Sequence, residues 1–401
     1  MVTFVDIEEA RERIKGQTYL SPLPYSETVS RMTGKRVFFK LENLQMTGSF
    51  KERGALNRLL TLAPEQTQGG VITASAGNHG MAVAFQCQRL NMAATIVMPV
   101  IAPLIKITRV RQYGAQSILH GNDYDSALAE ALRLSQQSRL TFVSPFDDPF
   151  IVAGQGTIGL ELYEQNPDLG AVIVPVGGGG LIAGIALALK TLNPKIRIIG
   201  VQAEALPSMQ TALKNGKPVQ VPPATTIADG IAVRAVGATP LELVRRYVDE
   251  IVTVSEGEIA NAVLLLLEIE KMVAEGAAAV ALAALINKKV SLSEQNVGLI
   301  VSGGNIDMNL MSRIIEKGLI QDGRLSRISV VISDRPGSLA RLSQRIAELG
   351  ANILQIGQTR GFGEVAIGET EVELILETTG AEQIERIHRA LQAASFKVRK
   401  E

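Results

Sequence analysis

The sequence is poor in the side chains that hold metals and crosslinks, with one cysteine and three histidines in 401 residues. A single cysteine forms no disulfide within the chain, and His79, His120, His388 and Cys87 show no clustered spacing, so no structural zinc and no metal site are expected. Charge of one sign is equally lacking: 40 Lys+Arg balance 40 Asp+Glu. With no excess to neutralise phosphates, nucleic acid and anionic membrane surfaces are not expected partners. The first residues, MVTFVDIEEARER, carry acids at Asp6, Glu8 and Glu9 and no apolar core, so they do not read as a secretory signal, and the cytoplasm is the expected location. Leu169 to Leu189 runs uncharged long enough to span a bilayer, but Pro175 and four consecutive glycines from Gly177 argue for strand, glycine loop and helix instead.

What the chain does have is apolar mass, 46% of its residues, and 37 glycines. At roughly 150 residues per domain, the length suggests two or three globular domains acting on small molecules. From about Val37 to Glu316, short β-branched runs alternate with longer helical patterns, the pattern of a parallel sheet with covering helices in an α/β fold. Expected strands are Val37–Leu41, Gly70–Ala74, Ala94–Met98, Ala171–Pro175, Ile196–Val201, Ile251–Val254 and Val297–Val301. The Ala-rich segment Ala274–Ile286 reads as a buried helix. After the polar stretch Gln321–Arg327 the pattern changes. ISVVIS, a DRPGSLA turn, a helix over Ser338–Leu349, ANILQIGQ, a strand over Val372–Glu377, a helix over Ala381–Ala394 and the run SFKVRK give the order βαββαβ. That order is ferredoxin-like.

Four segments of the larger part carry possible chemistry. In TGSFKERGA, Ser49 and Glu52 have capping-box spacing, which would make Lys51 an ordinary first-turn lysine. A lysine there also meets the positive end of the helix dipole, which favours its neutral, nucleophilic form. In ASAGNHGMAVAFQ a strand ends in a small-residue loop opening a helix, suited to a carboxylate or phosphate, with Ser75 and Asn78 as added donors. The alternative is a plain helix cap with His79 packed or capping. In VPVGGGGLIAG, Gly177–Gly180 lie between apolar strand and apolar helix and let backbone approach a phosphate. Gly178, Gly180 and Ala183, with Glu204 after the next strand, also satisfy a dinucleotide fingerprint. In VGLIVSGGNID, Ser302 ends an apolar strand, at the sheet edge where ligands bind, and offers one neutral hydroxyl.

In this order and spacing the four segments resemble the tryptophan-synthase-β-like (fold type II) pyridoxal-phosphate enzymes, and among them the serine/threonine dehydratase family. The resemblance covers residues 1–320, including AGQGTIGLEL (Ala153–Leu162) and TIADGIAV (Thr226–Val233). It implies a two-sheet catalytic region with a small subdomain over about 42–148. It implies pyridoxal 5'-phosphate bound to the amine of Lys51, Phe50 against the ring and Asn78 facing the ring hydroxyl. Gly177, Gly178, Gly179, Gly180 and Leu181 would hold the phosphate, Ser302 the ring nitrogen, and Ser75, Ala76, Gly77, Asn78 and His79 the substrate carboxylate. The dinucleotide reading leaves the other three segments without a shared purpose.

The implied reaction is β-elimination from L-threonine to 2-oxobutyrate and ammonia, with L-serine giving pyruvate. A serine dehydratase or racemase is the alternative, and a catalytically silent amino-acid sensor is an alternative of another class. Racemase relatives carry serine where this chain has Ala76, and metal-binding carboxylates where it has Gln202 and Ser208. The tail, residues 327–401, resembles an ACT domain, which implies regulation by an amino acid, with a branched-chain effector expected at Asp334, Gly337, Asn352 and Ile353. A homodimer or homotetramer is expected.

Overall fold

Runs of β-branched residues bounded by turns leave little choice but to pair, and in the computed structural model, which describes residues 2–360 and 365–399, they form three sheets. The chain divides into two compact units, Met1–Asp307 and Met308–Glu401.

The first unit holds two sheets. The larger has strand order Tyr25–Ser26, Arg36–Leu41, Asn296–Val301, Ala171–Pro175, Arg197–Ala203 and Glu250–Val254, all parallel apart from the first, antiparallel pair. The smaller, also parallel, has the order Gln116–Leu119, Ala94–Met98, Val71–Ala74 and Thr141–Phe142. Strands Ala171–Pro175 and Ala94–Met98 are buried at every residue, as expected where helices cover both faces of a parallel sheet. The Ala-rich helix is Gly276–Ile286, buried from Gly276 through Leu285. The segment that was long enough to span a bilayer is instead a strand, a glycine loop and the helix Gly180–Leu192. No helix among the described residues is long and apolar enough to cross a membrane.

Three chain reversals at the carboxyl ends of these strands converge on one place, where open α/β sheets bind ligands. They follow Val71–Ala74, Ala171–Pro175 and Asn296–Val301, and each carries one of the motifs above.

The second unit is an antiparallel sheet of order Asn352–Thr359, Glu369–Glu377, Leu325–Ser333 and Lys397–Arg399. Helices Ser338–Glu348 and Ala381–Ala393 complete the βαββαβ order. Leu342, Ile346, Ile387 and Leu391 bury against the alternate residues Ile328, Val330, Ile332 and Val372, Leu374, Leu376. The helix Met308–Gln321 belongs to this unit. Lys400 and Glu401, at the end of the expected tail, lie outside the described residues. Within one chain the four expected effector positions do not meet. Ser333 pairs with Glu369 and Asn352 with Glu377, so Asp334 and Gly337 lie at one end of the sheet and Asn352 and Ile353 at the other.

Candidate active site

Lys51 opens the helix Lys51–Leu60 behind the N-cap residue Phe50, which makes no side-chain cap. The capping box suggested by spacing is absent: Glu52 accepts instead from the Thr47 backbone N–H at 3.0 Å and Thr47 Oγ1 at 3.3 Å, while Ser49 Oγ is buried without a partner. Tertiary pairing wins over the local cap, because Ser49 bridges Gly303 and the Phe50 N–H donates to the Ser302 carbonyl at 3.0 Å. The lysine and the serine 251 positions later are therefore stitched together through backbone.

The same helix is anchored from behind by an enclosed ion cluster. Arg53 gives two bonds to Glu42, at 2.8 and 2.7 Å, and two to Glu161, at 2.5 and 2.9 Å; Lys40 Nζ adds a third to Glu161 at 2.6 Å. Burial alone would strip the charge from Arg53 and Lys40, but the paired carboxylates hold the guanidinium charged and pull back on the lysine.

The Lys51 amine donates to the Pro145 carbonyl at 2.8 Å and lies 5.2 Å from the centroid of the Phe50 ring. Burial lowers its pKa to about 8, with Glu275 pulling the other way. The helix N-terminus acts in the same direction as burial. A lysine so placed holds a neutral amine in about a tenth of molecules at pH 7 and in about half at pH 8, far more than an ordinary lysine would.

Two adjoining cavities share this amine. One is lined by Phe50, Gly177–Gly180, Leu181 and Ser302; the other by Ser75, Ala76, Gly77 and His79; Lys51, Asn78, Phe146 and Glu275 face both. The glycine loop has no room for side chains: a Cβ on Gly178 would lie 2.2 Å from the Phe146 ring, and Gly179 takes a left-handed φ of +97° to start the following helix. The first N–H groups of that helix have no partner within it and point to where an anion would sit. An amine able to bond an aldehyde, a ring neighbour, a neutral hydroxyl and a phosphate cradle fit pyridoxal phosphate together.

In the second cavity Gly77 caps the helix Asn78–Arg89, and the Gly77 N–H donates to Ser75 Oγ at 3.2 Å. His79 Nε2 lies 3.2 Å from the Val143 carbonyl, and burial beside Lys51 pushes its pKa down to about 3, so the ring is neutral. Asn78 Nδ2 donates to both oxygens of Glu275, at 2.8 and 3.0 Å, and its Oδ1 accepts from Asn305 Nδ2 at 2.9 Å. The Lys106–Asp229 ion pair, 2.6 Å apart, borders the same cavity.

Glu275, Asn305, Phe146 and Lys106 do not stand out in the sequence, where no spacing marks them. Only Glu275 leaves a trace, as the single acid ahead of the long apolar run Gly276–Ile286. Gln202, at the position of a racemase carboxylate, accepts through Oε1 from the N–H groups of Met209 and Gln210, both at 3.0 Å, and donates to Ser208 Oγ at 3.3 Å. Gln202 thus caps the helix Ser208–Asn215 with a neutral amide, steadied by the hydroxyl of its first residue.

Residues 14–303 match the profile of the pyridoxal-phosphate dependent enzymes. An L-threonine ammonia-lyase of Thermotoga maritima is 49% identical over 399 residues, covering 100% of this chain and 99% of the relative. The catabolic L-threonine dehydratase of Escherichia coli K12 is 42% identical over 315 residues, 78% of this chain and 96% of the relative. Among solved structures, maize serine racemase superposes with a TM-score of 0.75 at 35% identity, covering 80% of this chain and 98% of that one. An amine shared by two cavities, a glycine cradle and full-length likeness of this order agree: the chain belongs to the pyridoxal-phosphate-dependent enzyme family.

Proposed function

We propose that the chain catalyses the β-elimination of L-threonine, removing the Cα proton and the β-hydroxyl as water, after which a water molecule hydrolyses the released enamine, as its imine, to 2-oxobutyrate and ammonia, with L-serine as a second substrate giving pyruvate. The observation that carries this reading is the Lys51 amine at the junction of a glycine-lined cavity and a loop-lined one. Pyridoxal phosphate, bound through its aldehyde to Lys51, supplies the electron sink for charge at Cα. Phe50 would pack on the ring, Asn78 would donate to its hydroxyl, Gly177–Gly180 and Leu181 would hold the phosphate, and Ser302 would meet the ring nitrogen. Ser75 through His79 orient the substrate carboxylate at a helix N-terminus. Lys51, its pKa lowered by burial to about 8, would take the Cα proton as general base in its neutral form. Ser302 would offer the ring nitrogen a neutral hydroxyl, with no negative charge of its own to hold a proton there.

Racemisation needs a second acid/base group on the face opposite the lysine, and Ala76 offers none. Purified protein should show visible cofactor absorbance that is lost in Lys51→Ala, and should release 2-oxobutyrate from L-threonine. A colourless protein that leaves threonine untouched would sink the proposal, and D-serine from L-serine would replace it with the racemase reading.

The second unit is proposed as an ACT-type regulatory domain spanning residues 327–401. Gly337 takes φ +86° ahead of the helix it opens, leaving backbone accessible to an amino-acid ligand. Leu354 and Ile356 are exposed on the edge strand Asn352–Thr359, a surface suited to pairing with a second copy in a homo-oligomer. Such pairing would bring the Asp334–Gly337 turn of one copy towards Asn352 and Ile353 of another.

A further inference from the structure

Glu275 is fully enclosed, faces both cavities and makes no ion pair among the described residues. A carboxylate so placed is costly unless it does something. Its two oxygens receive the Asn78 amide, whose own oxygen is taken by Asn305. Asn305 Nδ2 also donates to the Thr47 carbonyl at 2.8 Å, ahead of Lys51. This chain of bonds settles which way the Asn78 amide points: its oxygen is committed to Asn305, one N–H is committed to Glu275, and the remaining N–H is the donor left for a ligand.

We infer that Glu275 is a positioning residue for the cofactor, acting through Asn78, and that its loss or gain of a proton changes how firmly Asn78 grips the cofactor's ring hydroxyl. The inference rests on the proposed role of Asn78 towards that hydroxyl. The ionised carboxylate accepts from Asn78 with both oxygens, whereas the protonated acid turns one of them into a donor and leaves a single acceptor. Burial, and repulsion from Asp229, raise the pKa of Glu275 to about 7, against the pull of Asn78 and Lys106, so both forms are populated near neutrality. The other charged group facing it is Lys51, whose own pKa it raises. Gly303 closes the remaining side: its carbonyl accepts from the Glu275 N–H at 3.1 Å, and a Cβ there would lie 2.6 Å from Glu275 Oε1.

The test uses the full-length holoenzyme. Glu275→Gln is isosteric with the protonated acid, and Gly303→Ala displaces the carboxylate without removing it. We expect each variant to bind pyridoxal phosphate about tenfold more weakly by fluorescence titration. We expect Glu275→Gln to abolish any transition of the bound cofactor's absorbance spectrum near pH 7. In an Asn78→Ala background Glu275→Gln should add little, because the effect runs through that amide. Wild-type affinity and an unchanged spectral pH profile in Glu275→Gln would overturn the inference, as would full additivity with Asn78→Ala. A wild-type protein that never becomes coloured would instead defeat the proposed function itself, so the two failures are distinguishable.

Discussion

At the scale of single residues, the site depends on side chains that are missing as much as on those present. Gly178→Ala would drive a methyl group into the Phe146 ring, which lines both cavities and would have to swing into them to make room. The expected outcome is at least a tenfold loss of pyridoxal-phosphate affinity with the melting temperature of the cofactor-free protein little changed, read by fluorescence titration and calorimetry. The buried titrating groups give a second prediction, for the cofactor-free protein. Between about pH 4.5 and 7 the native state keeps a proton on Glu275 that the unfolded chain releases, so this residue's contribution to stability falls as pH rises, while His79, neutral in the native state, contributes the opposite slope between about pH 3 and 6.5. Between about pH 8 and 10.5 the unfolded chain keeps a proton on Lys51 that the native state has lost, so this contribution grows again as pH rises. The melting temperature of the wild type relative to Glu275→Gln should therefore fall between about pH 4.5 and 7, the His79 contribution being common to both; a difference that does not change over that range would contradict the assignment.

At the scale of elements, the helix carrying Lys51 is held in register by charges rather than by apolar contact alone. Arg53→Met leaves Glu42 and Glu161 buried without their main partner, and removing one member of such a cluster costs about 3–5 kcal/mol. Denaturant unfolding should show a loss of that size, with activity falling at temperatures where the variant is still folded, because the amine drifts. A contrasting prediction concerns the helices Pro149–Gln165 and Gly180–Leu192, which cross so closely that a Cβ on Gly184 would lie 2.4 Å from the Val152 carbonyl. Gly184→Ala should lower the melting temperature by several degrees, and it should weaken cofactor binding as well if the helix behind the glycine loop shifts. Elements of this kind are legible in sequence where they are long and periodic. The seven strands read from β-branched runs all form, whereas Tyr25–Ser26 and Thr141–Phe142, two residues each, have too few positions to show alternation. Lys51, the glycine loop and Ser302 were legible because each sits on a strand-to-loop-to-helix signature. Glu275 was not, because its meaning comes from Asn78, 197 positions away, and that proximity is a product of the fold.

At the scale of the whole molecule, each unit has a core of its own, the first built on the two parallel sheets and the second on Ile328, Leu342, Leu374 and Ile387. A chain ending at Asp307 should therefore fold, take up pyridoxal phosphate and turn over threonine, yet lose any response of that turnover to branched-chain amino acids. Turnover assays with and without valine or isoleucine, on the full and shortened chains, test this. Equal responses in both would place the sensing elsewhere.

The stitching of Phe50 to Ser302 also has a consequence for how the protein is made. Strand Asn296–Val301 inserts between Arg36–Leu41 and Ala171–Pro175, so two strands synthesised early wait with unpaired edges for one synthesised late. Pairings across such sequence separations form slowly, and open strand edges invite association with other chains. A nascent chain has Lys51, the lysine proposed to bind the cofactor, almost from the start, but the Ser302 wall of its cavity arrives some 250 residues later. Ribosome-bound chains halted before residue 296 should stay colourless in excess pyridoxal phosphate and be rich in chaperone contacts, so uptake of the cofactor marks the completion of the first unit.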